Sequence, residues 1–151
     1  MDLYKDLETI TKWFRALEPI GEDTTGGVTR LGYTKTEDVM HGAIRNIARN
    51  LGFKSSSDEV GNTYIHYKNY DKYYIIGSHL DSVINGGRYD GVAGVLSGLL
   101  IMKWIKEEGL NIPVKTAAFR CEESSSFGIA TVGSSLITLS LIHISEPTRP
   151  Y

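Results

Sequence analysis

The sequence predicts an α/β fold: a mostly parallel central sheet flanked by helices. Two stretches, residues 3–17 and 39–51, repeat apolar residues at helical spacing. A short apolar run within residues 72–77 suits a central strand buried on both faces, and residues 114–119 read as the next buried strand. Between the two lie a glycine-rich loop and a long apolar helix. The order strand, loop, helix, strand is that of a crossover joining parallel neighbours.

Taken in order, the first helix rests on Leu3, Leu7, Ile10, Phe14 and Leu17, and Pro19 and Gly21 stop it. Residues 21–27 form a polar loop that leads into Val28-Thr29-Arg30-Leu31. Thr34 and Glu37 have the spacing of a capping box, which starts the second helix. Val39, Met40, Ala43, Ile44, Ile47, Ala48 and Leu51 continue it, and Gly52 ends it. Residues 53–56 and 62–67 read as short strands, the second alternating Tyr64 and His66 against Ile65 and Tyr67. The run containing Tyr73-Tyr74-Ile75-Ile76 reads as a central strand that ends at His79-Leu80-Asp81-Ser82. Asn85-Gly86-Gly87-Arg88-Tyr89-Asp90-Gly91 follows as a loop, then a helix over residues 92–108 closed by Gly109. Residues 114–119 form the next buried strand and run straight into Arg120-Cys121-Glu122-Glu123.

Composition narrows the function. The 151 residues allow one compact unit at most. Sixteen basic and 18 acidic residues leave a net charge of −2 with no Lys/Arg cluster, which speaks against nucleic-acid and membrane partners. The longest apolar stretch, residues 92–102, is broken by Gly94, Ser97 and Gly98 and is too short to span a bilayer. No secretory signal opens the chain, and the single cysteine, Cys121, forms no internal disulfide; a reducing, cytoplasmic location is expected. The final stretch, Leu139-Ser140-Leu141-Ile142-His143-Ile144-Ser145-Glu146-Pro147-Thr148-Arg149, resembles the in-frame translation of a transposase adapter used for sequencing libraries. Residues 139–151 are therefore expected to be an artefact following an authentic segment, residues 1–138, and His143 carries no functional weight.

The chemistry concentrates at two strand ends and one loop. His79 and Asp81 are two residues apart, so an extended chain projects both to the same side. Such a pair suits a metal-ligating histidine with a carboxylate that orients it. Taken alone, a His-x-Asp pair is more often a hydrogen-bonded surface pair. Asp90 stands just before a helix, where it is either an N-cap or a carboxylate shared by two ions. Glu122 and Glu123 close a strand, and adjacent strand residues face opposite sides; one could bind metal while the other serves as general base. On their own they would be a solvated charge pair. Four carboxylates around one histidine call for a cation, and oxygen and nitrogen donors suit zinc, manganese or cobalt. Cys121 has no basic neighbour to activate it and reads as a small buried residue.

Three strings, Gly77-Ser78-His79-Leu80-Asp81-Ser82, Gly86-Gly87-Arg88-Tyr89-Asp90-Gly91 and Phe119-Arg120-Cys121-Glu122-Glu123-Ser124, resemble the dinuclear metallopeptidase superfamily that includes aminoacylases and dipeptidases. Together with Gly26-Gly27-Val28-Thr29-Arg30-Leu31 they look like its N-carbamoyl-L-amino acid hydrolase and allantoate amidohydrolase branch, from about residue 3 to residue 137. The resemblance implies two divalent ions, zinc or manganese with cobalt as a further candidate. His79 would bind one ion, Asp90 would bridge the two and Glu123 would bind the other. Glu122 would be the general base and Asp81 would orient His79. The implied reaction is hydrolysis of a linear amide or ureido C–N bond in a small-molecule substrate. An aminopeptidase or dipeptidase of the same superfamily is the alternative, and a non-catalytic fragment is another. The resemblance also implies a partial, truncated catalytic domain. Two further histidine ligands of the family have no counterpart before Leu139, and its smaller domain, which makes the parent a homodimer, is missing. Ser126 stands where this branch is expected to carry arginine.

Overall fold

The computed structural model describes residues 2–145, with side chains described to residue 138. Its elements run α1 (Leu3–Leu17), α2 (Lys35–Asn50), β1 (Lys54–Ser57), β2 (Thr63–His66), β3 (Tyr74–His79), α3 (Val92–Glu107), β4 (Val114–Phe119) and α4 (Val132–Ser145). The helix α4 crosses the boundary expected at residue 138, and residues 146–151 of the suspected adapter segment lie outside the described residues.

The α/β class is as expected. The four strands form one sheet in the order β1-β2-β4-β3. Parallel pairing is confined to β3 and β4, in register from Tyr74 opposite Val114 to His79 opposite Phe119. The β1/β2 and β2/β4 pairs are antiparallel, so the sheet is mixed. The central, buried strand is β4; β3 lies at an edge among the described residues, with Tyr74 71% and Ile75 55% exposed. This corrects the expectation that 72–77 is buried on both faces. An apolar run reports affinity for a sheet, not the number of neighbours the strand has found.

One face of the sheet is covered by helices, and a single core joins Ile65, Val114 and Ala118 of the strands to Met40, Ile44, Val95, Leu99 and Met102 of the helices. The helix α3 lies unusually close to β3 and β4. A Cβ on Gly98 would come within 2.8 Å of the Thr116 side chain, so only glycine permits that approach. The helix α1 is tied to α3 by Asp6, which accepts hydrogen bonds from Trp104 Nε1 (2.8 Å) and Lys103 Nζ (3.1 Å).

The start of α2 departs from its expected capping box. Thr34 is the N-cap residue but makes no capping bond; its hydroxyl donates to the Leu31 carbonyl at 2.7 Å. Glu37 does accept from the Tyr33 backbone N–H (2.7 Å), yet it is fully buried and is shared with Arg120 and Cys121. A Thr-x-x-Glu string marks a helix start, but it cannot show that the glutamate has partners 83 and 84 residues away.

Candidate metal centre

The parallel pair brings the two strand ends together. His79 ends β3 directly opposite Phe119, the last residue of β4, and the chain beyond each strand converges on one edge of the sheet. Open α/β sheets place ligands at this carboxyl edge. The loop after β3 is held from behind by residues 26–31. Val28 pairs with Gly86 through two backbone hydrogen bonds, and Ser82 bonds to Arg30 through both its backbone N–H and its hydroxyl. The Arg30 guanidinium is buried and donates from Nε to the Leu80 carbonyl at 3.1 Å.

His79 is 93% shielded from solvent, and its ring is oriented by Asp81. Nδ1 lies 3.1 Å from the Asp81 carbonyl and 3.4 Å from Asp81 Oδ1, both acceptors. The proton of a neutral ring therefore sits on Nδ1, and Nε2 presents a lone pair. Nε2 faces Asp90 Oδ1 at 3.8 Å and Glu122 Oε2 at 3.9 Å. Burial disfavours the charged ring, but the Asp81 and Glu122 carboxylates outweigh it and hold the His79 pKa above the ordinary imidazole value.

Asp81 is fully buried and does more than orient the histidine. Its Oδ1 accepts the Glu122 backbone N–H and its Oδ2 the Glu123 backbone N–H, both at 2.9 Å. Burial pushes its carboxyl up, while His79 and these two N–H donors bring it below the usual aspartate range. One carboxylate thus fastens the end of β3 to the chain beyond β4.

Glu122 and Glu123 do not alternate as strand residues. The strand β4 stops at Phe119, and Cys121 turns the chain with φ +50°. Both glutamates consequently converge with His79, each of the three offering one ligand atom within 4.8 Å of the others. Burial, then the neighbouring carboxylates of Glu122, Asp90 and Asp81, raise the Glu123 pKa against the pull of His79. Negative charge is in excess here. Asp90 is not a helix cap: Gly91, at φ +67°, occupies that position, and the Asp90 side chain is 65% exposed beside His79. Burial and the surrounding Asp81, Glu37 and Glu122 push the Cys121 thiol up to about 11, so it is a poor nucleophile at neutral pH. A cleft of about 260 Å³ opens beside these groups, lined in part by Ser78, His79, Glu122, Thr131 and Ser134.

All five residues singled out from the sequence therefore meet at one edge. Sequence reasoning missed the roles of Glu37 and Arg30, the buried charges behind them. The only available signal was their place in the strings 26–31 and 34–37.

An edge of an α/β sheet that gathers one oriented imidazole and several carboxylates has the donor atoms that a divalent cation would take. Comparison with known proteins gives the particular resemblance. The chain is 38% identical over 123 residues to the allantoate amidohydrolase of Bacillus subtilis, covering 78% of this chain and 30% of that protein. It is 33% identical over 129 residues to the N-carbamoyl-L-amino acid amidohydrolase of Geobacillus stearothermophilus, covering 81% and 32% respectively. A hydantoinase/carbamoylase family amidase from Burkholderia ambifaria superposes with a TM-score of 0.79 at 29% identity, over 88% of this chain and 34% of that one. No family model matches the chain. The chain thus resembles the carbamoylase and allantoate amidohydrolase branch in both sequence and fold, and spans about a third of the length of these relatives. Among the described residues, no helix is long and apolar enough to cross a membrane.

Proposed function

We propose that the chain is part of the catalytic domain of a metal-dependent hydrolase acting on a linear amide or ureido C–N bond, of the N-carbamoyl-L-amino acid or allantoate type. The observation that carries this is the convergence of His79, Glu122 and Glu123 ligand atoms within 4.8 Å, with Asp90 beside them. The donor set fits a divalent ion. Nε2 of His79 has its lone pair free, and burial together with the crowded carboxylates raises the Glu123 pKa. In this reading His79, Asp90 and Glu123 would hold two divalent ions, zinc or manganese with cobalt as a further candidate. When bound, such ions polarise the scissile carbonyl and make water acidic.

The protein's own residues then do the following. Glu122, partly exposed at the mouth of the cleft, takes the proton of the attacking water and returns it to the leaving nitrogen. Asp81 fixes the His79 ring and, through the 122 and 123 peptides, the direction of both glutamates. A small-molecule substrate, a cytoplasmic location and a homodimer built through a domain outside this chain belong to the same reading. So does the division into residues 1–138 and an adapter-derived 139–151. Sequencing the source DNA past the Thr138 codon with a different library chemistry tests that division.

The functional test is an assay of the protein encoded by the recovered reading frame against N-carbamoyl amino acids, allantoate and dipeptides. Turnover of a carbamoyl or ureido substrate, lost in Glu122→Gln, is expected. Turnover of dipeptides alone would replace this reading with the aminopeptidase one.

A further inference from the structure

We infer that Glu37, on the first turn of α2, is a positioning residue for the Glu122–Glu123 pair. Three consecutive peptide N–H groups beyond β4 each donate to a buried carboxylate. Cys121 donates to Glu37 Oε1 at 3.0 Å, and Glu122 and Glu123 donate to Asp81 at 2.9 Å each. Asp81 alone holds the outer two; Glu37 holds the pivot. That pivot is the strained residue, since Cys121 has a side chain and yet sits at φ +50°. Such a conformation persists only where its surroundings over-determine it. The surroundings are close: a Cβ on Gly32, in the loop leading to α2, would lie 2.5 Å from Cys121 Sγ.

Glu37 is itself rigidly held. It is fully buried, and its Oε2 accepts from the Tyr33 N–H at 2.7 Å and from Arg120 Nη1 at 2.8 Å. Arg120 is in turn fixed by the Gly61 carbonyl at 3.1 Å, by Asn62 through its backbone N–H, and by Asp38 at 2.7 Å. The direction of the Glu122 and Glu123 side chains is therefore set jointly by the end of β3, through Asp81, and by α2, through Glu37. A purely structural ion pair would need only Arg120. The grip on the Cys121 N–H adds a demand that a neutral or shorter side chain cannot meet. In Glu37→Gln the amide donors would face other donors. In Glu37→Asp the charge opposite Arg120 is kept, but the carboxylate is one methylene short of the peptide.

The inference rests on the metal-centre reading, and two measurements on the 151-residue chain separate their fates. One is hydrogen exchange at the Cys121, Glu122 and Glu123 amides; the other is Co²⁺ titration followed by its d–d absorption. Both Glu37→Gln and Glu37→Asp should speed exchange at all three amides at least tenfold, leaving Ala117 and Ala118 of β4 protected. Their Co²⁺ affinity should fall by about 10- to 100-fold, the usual loss when a group supporting metal ligands is removed. Asp38→Asn, which touches Arg120 but not the turn, should change neither. Wild-type exchange at 122 and 123 together with wild-type Co²⁺ affinity in Glu37→Asp would overturn the inference, as would an equal loss in Asp38→Asn. If exchange responds as expected but no Co²⁺ signal depends on His79, the positioning role stands and the metal reading falls. Should Glu37→Gln not fold, Glu37→Asp decides alone.

Discussion

Replacing Asp81 by asparagine removes one charge and almost no volume, and the structure says what that should cost. The buried carboxylate accepts two peptide N–H bonds and orients the His79 ring. Asparagine keeps one acceptor oxygen, so one of the Glu122 and Glu123 N–H groups must face an amide donor. A hydrogen bond to a charged group contributes about 1.5–3 kcal/mol, and a buried donor left unpaired costs a similar amount. Arg30 also loses the anion that opposes its burial. Together these give a loss of about 2–4 kcal/mol at pH 7. The Asp81 pKa is depressed in the fold, so its contribution is present above the unfolded value of 3.8 and is lost as pH falls through the folded value. The deficit of Asp81→Asn should therefore shrink as pH is lowered. Urea unfolding of both chains in EDTA, from pH 7 to the lowest pH at which they still unfold cooperatively, measures it. A difference under about 0.5 kcal/mol at pH 7 would refute this account of Asp81, as would a deficit that shrinks between pH 7 and pH 5, where the carboxylate stays charged in both states.

Three further outcomes are expected. His41 is fully buried with Nδ1 on Thr63 Oγ1 at 2.9 Å; burial first, then Arg120 and Arg45, lower its pKa to about 3 against the opposite pull of Asp38 and Asp81. The unfolded chain then binds the extra proton, so stability should fall as pH drops below about 6.5, by up to about 1.4 kcal/mol per unit, and His41→Gln should flatten that slope in acid-unfolding curves. Gly91→Ala should cost roughly 2–4 kcal/mol and disturb His79, because φ is +67° and a Cβ would lie 2.4 Å from the His79 carbonyl oxygen; thermal melts and the His79 ring NMR signals would show it. Cys121 should resist Ellman's reagent at pH 8 while the chain is folded and react within seconds in urea; rapid reaction of the folded chain would contradict its burial and raised pKa.

Much of this arrangement is legible in the residues themselves. The bounds of β4 match the segment 114–119, which is set off by Pro113 on one side and a polar string on the other. His79, Asp81, Asp90, Glu122 and Glu123 could be grouped because they sit at or beyond two strand ends and in the loop before α3, where a polar side chain escapes the core. What could not be read depends on contacts between distant segments. The edge position of β3 is one case, since its neighbours lie elsewhere in the chain. The facing of Glu122 and Glu123 is another: the alternation rule holds only while the strand lasts, and the left-handed residue Cys121 ends it. Glu37 is the clearest, a helix-start glutamate in sequence and the partner of Cys121, 84 residues away, in the fold.

The central claim is that His79, Asp90 and Glu123 hold a divalent cation at this sheet edge with Glu122 beside it. Calorimetric titration of the 151-residue chain with Mn²⁺, Zn²⁺ and Co²⁺, alongside His79→Ala and Glu123→Gln, tests it most directly. Saturable binding of at least one of these ions, weakened tenfold or more in both variants, is the predicted result. No binding at millimolar metal, or equal binding by the chain and by His79→Ala, would contradict it.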